Sequence, residues 1–265
     1  MKKFWFILTA LVATCFLVAC SGSQGVSPKT IKVKKKIVVA TESEFAPFEF
    51  KSLVNGKDTL VGADIELAKA IGEKLGVKVE FSVMSFDNVL ANVQSGKADI
   101  AIAGISVTDE RKKVYDFSDS YYTSENVVIV KKDKVNDYTS TDSLAKQTVG
   151  TQKGSVQETV AKKQIPKASV VSLASNGEMI NELKSGQLQA VVLEKAIAEG
   201  YIAQNDDLTL ANFNLKSDGT DAYAVATRKG SDDLLKEINA VIKETKDSGK
   251  FDQWLKEAST YKQSK

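Results

Sequence analysis

Apolar positions along the chain fall into short runs that alternate with helical stripes, the pattern of an α/β protein. Ile37-Val38-Val39-Ala40 predicts a buried strand ending at Thr41-Glu42. Asp64 predicts a helix cap, followed at helical spacing by Ile65, Ala68, Ile71 and Leu75, with Gly76 as the C-terminal stop. Val77 to Val83 alternates as a strand. Asp87 opens a second helix through Val89, Leu90 and Val93, which Ser95-Gly96 halts. Asp99 to Ala103 then predicts a buried strand running into Gly104-Ile105-Ser106. Much later, Ala222 to Ala226 predicts a strand, with Thr227-Arg228-Lys229-Gly230 as a solvated loop after it. Two C-terminal helices, Ser231 to Ser248 and Lys250 to Tyr261, have the apolar positions of packing elements.

The pattern repeats weakly. Val93 to Ile102 and Leu183 to Val192 both read as helix end, Ser-Gly turn, polar pair and strand. Val39-Ala40-Thr41-Glu42 has a counterpart in Val149-Gly150-Thr151-Gln152. The two spacings differ, so the chain is not a tandem array. Two similar α/β lobes account for the echo, each presenting loops at the carboxyl ends of its strands, where small ligands bind in such sheets. A pocket between the lobes is the expectation.

The N-terminus has a different pattern. Met1-Lys2-Lys3 precedes a short apolar run, the layout of a secretory signal rather than a membrane span. The run ends at Leu17-Val18-Ala19-Cys20, followed by Ser21-Gly22-Ser23, which resembles a bacterial lipobox. That resemblance implies cleavage after residue 19 and a diacylglyceryl anchor on the Cys20 thiol. Residues 20–36, rich in Ser, Gly and Lys, read as a flexible tether.

Composition narrows the chemistry. The 265 residues contain 43% hydrophobic and 26% charged positions, a globular balance. There is no histidine, which excludes a Ser-His-Asp triad and any His-bearing zinc site. Net charge is +2, and loss of Lys2 and Lys3 with the signal makes the remainder neutral, which argues against a nucleic-acid partner. Of 36 basic residues only Arg111 and Arg228 are arginine. Thr108 is a good N-cap and Asp109-Glu110 suit a first turn, so Arg111 lies just inside a helix start, beside the strand-end backbone of Gly104 and Ser106. A carboxylate placed there would meet a bidentate fork that lysine cannot reproduce.

Two segments, Ala40-Thr41-Glu42-Ser43-Glu44-Phe45-Ala46-Pro47-Phe48-Glu49-Phe50 and Ala101 to Arg111 with Asp116-Phe117-Ser118-Asp119 and Tyr121-Tyr122 after it, resemble the polar amino acid-binding proteins of ABC importers. The resemblance runs from about Ile37 to Tyr261. It implies a two-lobed, periplasmic-binding-protein-like (type II) α/β fold with two hinge crossings, near Tyr121–Glu125 and Gly219–Tyr223. Lobe one would comprise residues 36–121 and 224–264, and lobe two residues 123–221. It further implies a monomer outside the membrane that binds a free L-amino acid and delivers it to a permease, with no cofactor, metal or catalysis.

Residue by residue, the resemblance gives Arg111, with Gly104 and Ser106, to the ligand carboxylate. Glu194, at the end of the strand Ala190 to Leu193, would take the α-ammonium. Gln152, Ser155 and Val156 would reach the ligand from the second lobe. Phe45 and Phe86 would pack on the two sides of its side chain. Glu42 would read the distal group and, as an acid, favours a cationic amino acid, arginine or lysine, followed by histidine and glutamine, with glutamine or another polar amino acid as the alternative. Glu44 and Glu49 are expected in solvent, and Gln189, where the family has an acid, is expected to affect loop order. A dehydratase-like enzyme on the same fold, using Glu194 or Glu42 as an acid, is the reading from another class.

Overall fold

A computed structural model describes residues 25–264 other than 218 and 220. Cys20 and the signal segment lie outside the described residues. From the N-terminal side the chain forms α1 (Pro28–Lys34), β1 (Lys36–Thr41) and a meander of β2 (Glu44–Phe45), β3 (Glu49–Val54) and β4 (Lys57–Val61). Next come α2 (Ala63–Leu75), β5 (Lys78–Val83), α3 (Phe86–Gln94), β6 (Ile100–Ala101), α4 (Asp109–Val114) and β7 (Tyr115–Phe117). The chain leaves this lobe through β8 (Tyr122–Thr123). It then builds β9 (Asn126–Lys131), β10 (Thr148–Gln152), α5 (Val156–Gln164), β11 (Ser169–Leu173), α6 (Asn176–Ser185), β12 (Ala190–Glu194), α7 (Lys195–Gln204) and β13 (Leu208–Leu210). It returns through β14 (Ala222–Tyr223) to β15 (Ala226–Arg228), α8 (Asp232–Asp247) and α9 (Lys250–Ala258). Among the described residues no helix is long and apolar enough to cross a membrane.

Two five-stranded sheets result, in the orders β5-β1-β6-β15-β7 and β11-β10-β12-β9-β13. In each, the first three strands are parallel and the fourth runs antiparallel to the third. The sequence echo is this structural equivalence. Asp99 and Val38 exchange backbone and side-chain bonds (Asp99 N to Val38 O, 2.8 Å; Val38 N to Asp99 Oδ2, 2.9 Å). Gln189 and Thr148 do the same in the second sheet, at 2.9 and 3.0 Å. Gln189 thus serves where an acid would, and its longer side chain also reaches the Gly186 carbonyl at 2.8 Å. Gly96 and Gly186, with φ of +77° and +83°, turn the chain into the two matching strands.

The sheets are joined where β8 and β14 pair antiparallel, Tyr122 opposite Tyr223. Aromatic rings pack around this crossing: Phe48 lies 4.9 Å from Tyr122 and 5.4 Å from Tyr223, and Tyr121 lies 5.4 Å from Phe251. Parallel β1 and β6 in one lobe, and β10 and β12 in the other, end on the cleft between them.

The structure corrects several expectations about the fold, among them the strand at Ala222 to Ala226, which is split into β14 and β15. The tether reading fails from Val26 onward, because α1 is a capped helix: Ser27 Oγ accepts from Thr30 N at 3.2 Å, and Pro28 occupies the first turn. Ile31 is fully buried and Val26 N donates to Ser231 Oγ at 2.8 Å, so the segment packs on the first lobe. One fully buried apolar residue in a seven-residue helix is too few to show a period. Asp64 is not a cap; the helix starts at Ala63 after Gly62, whose φ of +129° lets the backbone pass the Phe48 carbonyl. Arg228 is the half-buried end of β15, and its Nη1 donates to the Val93 and Ala98 carbonyls at 3.1 Å each. Ile31→Ala is expected to cost about 2 kcal/mol, the low end for a buried aliphatic truncation, measured by urea unfolding of the folded body. An unchanged midpoint would restore the tether reading.

Candidate functional site

The cleft is built from strand ends. In the first lobe, Thr108 Oγ1 accepts from the Arg111 backbone N–H at 3.1 Å, which starts α4 and turns the arginine back toward the end of β6. Arg111 Nη1 then donates to the Ser106 carbonyl at 2.7 Å, and Nη2 crosses to the Gly154 carbonyl of the second lobe at 3.1 Å. Its guanidinium carbon lies 5.8 Å from the centre of the Phe86 ring. Burial lowers its pKa to about 10, so it stays cationic at neutral pH.

Gly104 has φ of +53°, and a Cβ there would sit 2.5 Å from the Phe45 ring; only glycine lets strand end and ring meet this closely. Its N–H donates to Asp64 Oδ2 at 3.1 Å, which also accepts from the Tyr121 hydroxyl at 2.8 Å. Asp64 and Glu49 are both fully buried in the first lobe. Burial raises Asp64 to about 6 and pushes Glu49 far above the ordinary carboxylate range, with the Asp64 charge adding to it. Glu49 in solvent is therefore a wrong expectation: β3 is paired on both edges by β2 and β4, and its first residue faces inward. Glu44 is half-buried, its Oε2 accepting from Gly177 N of the second lobe at 3.1 Å.

On the second lobe, Glu194 closes β12 and is 6% exposed. Gln157 Nε2 donates to Glu194 Oε1 and to Asn126 Oδ1, both at 2.7 Å, holding the carboxylate in a fixed orientation. Burial raises Glu194 to about 7, against hydrogen bonds from its own backbone N–H and Gln157 and the attraction of Arg111. Ser106 and Glu194 line the same small, closely packed pocket, together with Gln157 and Tyr223. Gln152 ends β10, and its Nε2 donates to both Glu42 oxygens, at 3.1 and 3.3 Å, across the lobes. Glu42 is 4% exposed; burial first, then the charges of Glu44 and Glu194, raise it to about 8. Ser155 Oγ donates to the Gln152 carbonyl at 2.7 Å and Val156 opens α5. At the rim, Lys153 and Asp87 form an inter-lobe ion pair of 2.9 Å, exposed on the lysine side and worth at most about 1 kcal/mol.

The ten residues named from the sequence thus gather at the two facing sets of strand ends. Phe45 and Phe86 are both buried in the first lobe, Phe45 against Gly104 and Phe86 under Arg111. Sequence reasoning missed Gln157, Asn126 and Asp64. A polar residue in the first turn of a helix that starts at a ligand loop was the available signal for Gln157.

The chain that builds this cleft has a match among known families. The family model described as bacterial extracellular solute-binding proteins, family 3, matches residues 37–258. This chain belongs to that family. As a solute-binding protein it is 34% identical to the arginine-binding extracellular protein ArtP of Bacillus subtilis (strain 168) over 261 residues, covering 97% of each chain. It is 32% identical over 277 residues to the ABC transporter glutamine-binding protein GlnH of the same organism, covering 97% of this chain and 98% of GlnH. Among solved structures it is similar to the amino acid ABC transporter substrate-binding protein AbpA from Streptococcus pneumoniae Canada MDR_19A bound to L-arginine. That match has a TM-score of 0.85 and 50% identity, over 88% of this chain and 98% of AbpA.

Proposed function

We propose that this chain is the extracytoplasmic binding component of an ABC importer, that its ligand is a cationic L-amino acid, and that L-arginine is preferred. The observation that carries the ligand reading is the buried Glu42 carboxylate at the far end of a cleft whose other end holds Arg111 and Glu194. Arg111 takes the α-carboxylate with the backbone at Gly104 and Ser106, and Glu194, oriented by Gln157, takes the α-ammonium. The zwitterion bridges the lobes, and a ligand that touches both favours the closed arrangement about β8 and β14. The arginine-binding relatives support the cationic tip; GlnH keeps glutamine as the second reading, in which Gln152 pairs with the ligand amide. The partner is a membrane permease. A lipid on Cys20 holds the protein, a monomer, at the membrane face.

Binding to the native state raises the melting temperature. A ligand-stripped sample is expected to respond most to L-arginine, then L-lysine, in a thermal-shift panel of all standard amino acids. A largest response to glutamine would select the second reading, and no response to any would end the binding-protein reading. The enzyme reading, with Glu42 or Glu194 as an acid, requires turnover of a cyclic amino acid precursor, and none is expected.

A further inference from the structure

Asn176 takes no part in the contacts that hold Arg111, Glu194 and Glu42. It is the first residue of α6, behind the N-cap Ser175, whose Oγ accepts from Glu178 N at 3.2 Å. Its side chain is completely buried, and neither Oδ1 nor Nδ2 has a hydrogen-bond partner among the described residues. Buried amides are almost always paired, so an amide with all its donors and acceptors free points to a group that comes from outside the fold.

Its surroundings say which group. The next residue, Gly177, donates its N–H to Glu44 of the first lobe, so the start of α6 lies on the cleft. The strand before it, β11, runs beside β10 with Leu173 opposite Gln152, the residue that bonds Glu42. The Glu44 charge acts on the Glu42 carboxyl. Asn176 thus lies on the second lobe beside two neighbours of Glu42, next in the chain to the Gly177 that meets Glu44 and three residues after the Leu173 that pairs with Gln152. A ligand tip held there needs donors that diverge, one toward the Glu42 carboxylate and one toward an amide oxygen.

We propose that Asn176 is a specificity-determining residue that accepts, through Oδ1, an N–H from the edge of a ligand guanidinium opposite the one facing Glu42. This rests on the arginine reading above. A guanidinium carries five N–H groups in a rigid plane and can serve two acceptors on different sides. A lysine ammonium places its donors on a single nitrogen, satisfies Glu42 and leaves Asn176 unpaired. A site that hydrogen-bonds one ligand group rejects the analogue that lacks it, because its own polar group then stays buried and unmatched.

The test is calorimetric titration of wild-type protein and Asn176→Leu with L-arginine and L-lysine. Arginine affinity is expected to fall about 10–100-fold in the variant, and lysine affinity to change less than about threefold, so the arginine-to-lysine ratio collapses. Equal losses for both ligands, or no loss for arginine, would overturn the role of Asn176 while leaving the arginine reading in place. Wild-type protein that binds no arginine would overturn both. If the leucine variant does not fold, the Asn176 side-chain amide resonance of ¹⁵N-labelled wild-type protein decides. It is expected to shift and exchange more slowly with arginine and to stay put with lysine; no change with arginine overturns the proposal.

Discussion

Arg111→Lys is expected to weaken binding of every amino acid ligand by about two to three orders of magnitude, whatever the ligand side chain. The cap fixes the Arg111 backbone, and the guanidinium is held by the Ser106 and Gly154 carbonyls, one on each lobe, and by the Phe86 ring. These contacts orient its plane, and each terminal nitrogen keeps a second N–H for a carboxylate. Two charge-assisted bonds to a carboxylate each contribute about 1.5–3 kcal/mol. A lysine ammonium at the end of a flexible stem makes one such contact at best and has no planar face for Phe86. Glu42→Gln is the contrasting variant. It keeps an amide oxygen for the ligand tip but removes the charge, so arginine and lysine weaken while glutamine does not. Calorimetry with arginine, lysine, histidine and glutamine on both variants gives the two profiles. Identical profiles would show that the ligand backbone and side chain are not read by separate residues.

The difference between these two residues also explains how much of the site is legible in the sequence. Arg111 is announced locally, by Thr108 and two acids in front of it and by the scarcity of arginine elsewhere. Strands β1 and β5 and helices α2 and α3 announce themselves through apolar periods, and the repeat of the Ser-Gly turn foretells the paired sheets. What stays hidden depends on partners far along the chain. Arg228 is bound to carbonyls 130 and 135 positions away. Asp64 looks like a cap until Gly104 and Tyr121 arrive to occupy it. Glu49 stands between two phenylalanines as a lone acid, and only the pairing of β3, with its first residue turned inward, takes it out of water. An asparagine at a helix start ordinarily signals capping, and Asn176 differs only in that Ser175 already fills that role.

Ligand-free protein is expected to close more readily as pH falls, with the open-to-closed ratio changing at least about a hundredfold between pH 5 and pH 7. In the closed arrangement burial raises Glu42 to about 8 and Glu194 to about 7. Opening about β8 and β14 would separate Glu42 from Gln152 and bring both carboxyls toward water and their ordinary value of 4.5. Below that value both groups are protonated in either arrangement and closure has its full stability. As pH rises toward 8 the open form gives up protons that the closed form keeps, so closure loses stability through this window. Above it, closing without a ligand takes two negative charges out of water, which Gln152, Gln157 and Arg111 offset only in part. Asp64 and Glu49 lie within the first lobe and add to the pH dependence of folding instead, in the same direction. An amino acid that brings an α-ammonium to Glu194 and a cationic tip to Glu42 takes the place of both protons, which makes closure at neutral pH conditional on the right ligand. Small-angle scattering, or energy transfer between labels on α2 and α6, measured across about pH 5 to 8.5 follows the closed fraction. A closed fraction that is flat, or that rises with pH, would contradict the argument, and Glu42→Gln is expected to remove the larger part of the slope. On this account the two carboxylates proposed to recognise the ligand also disfavour a closed, empty form.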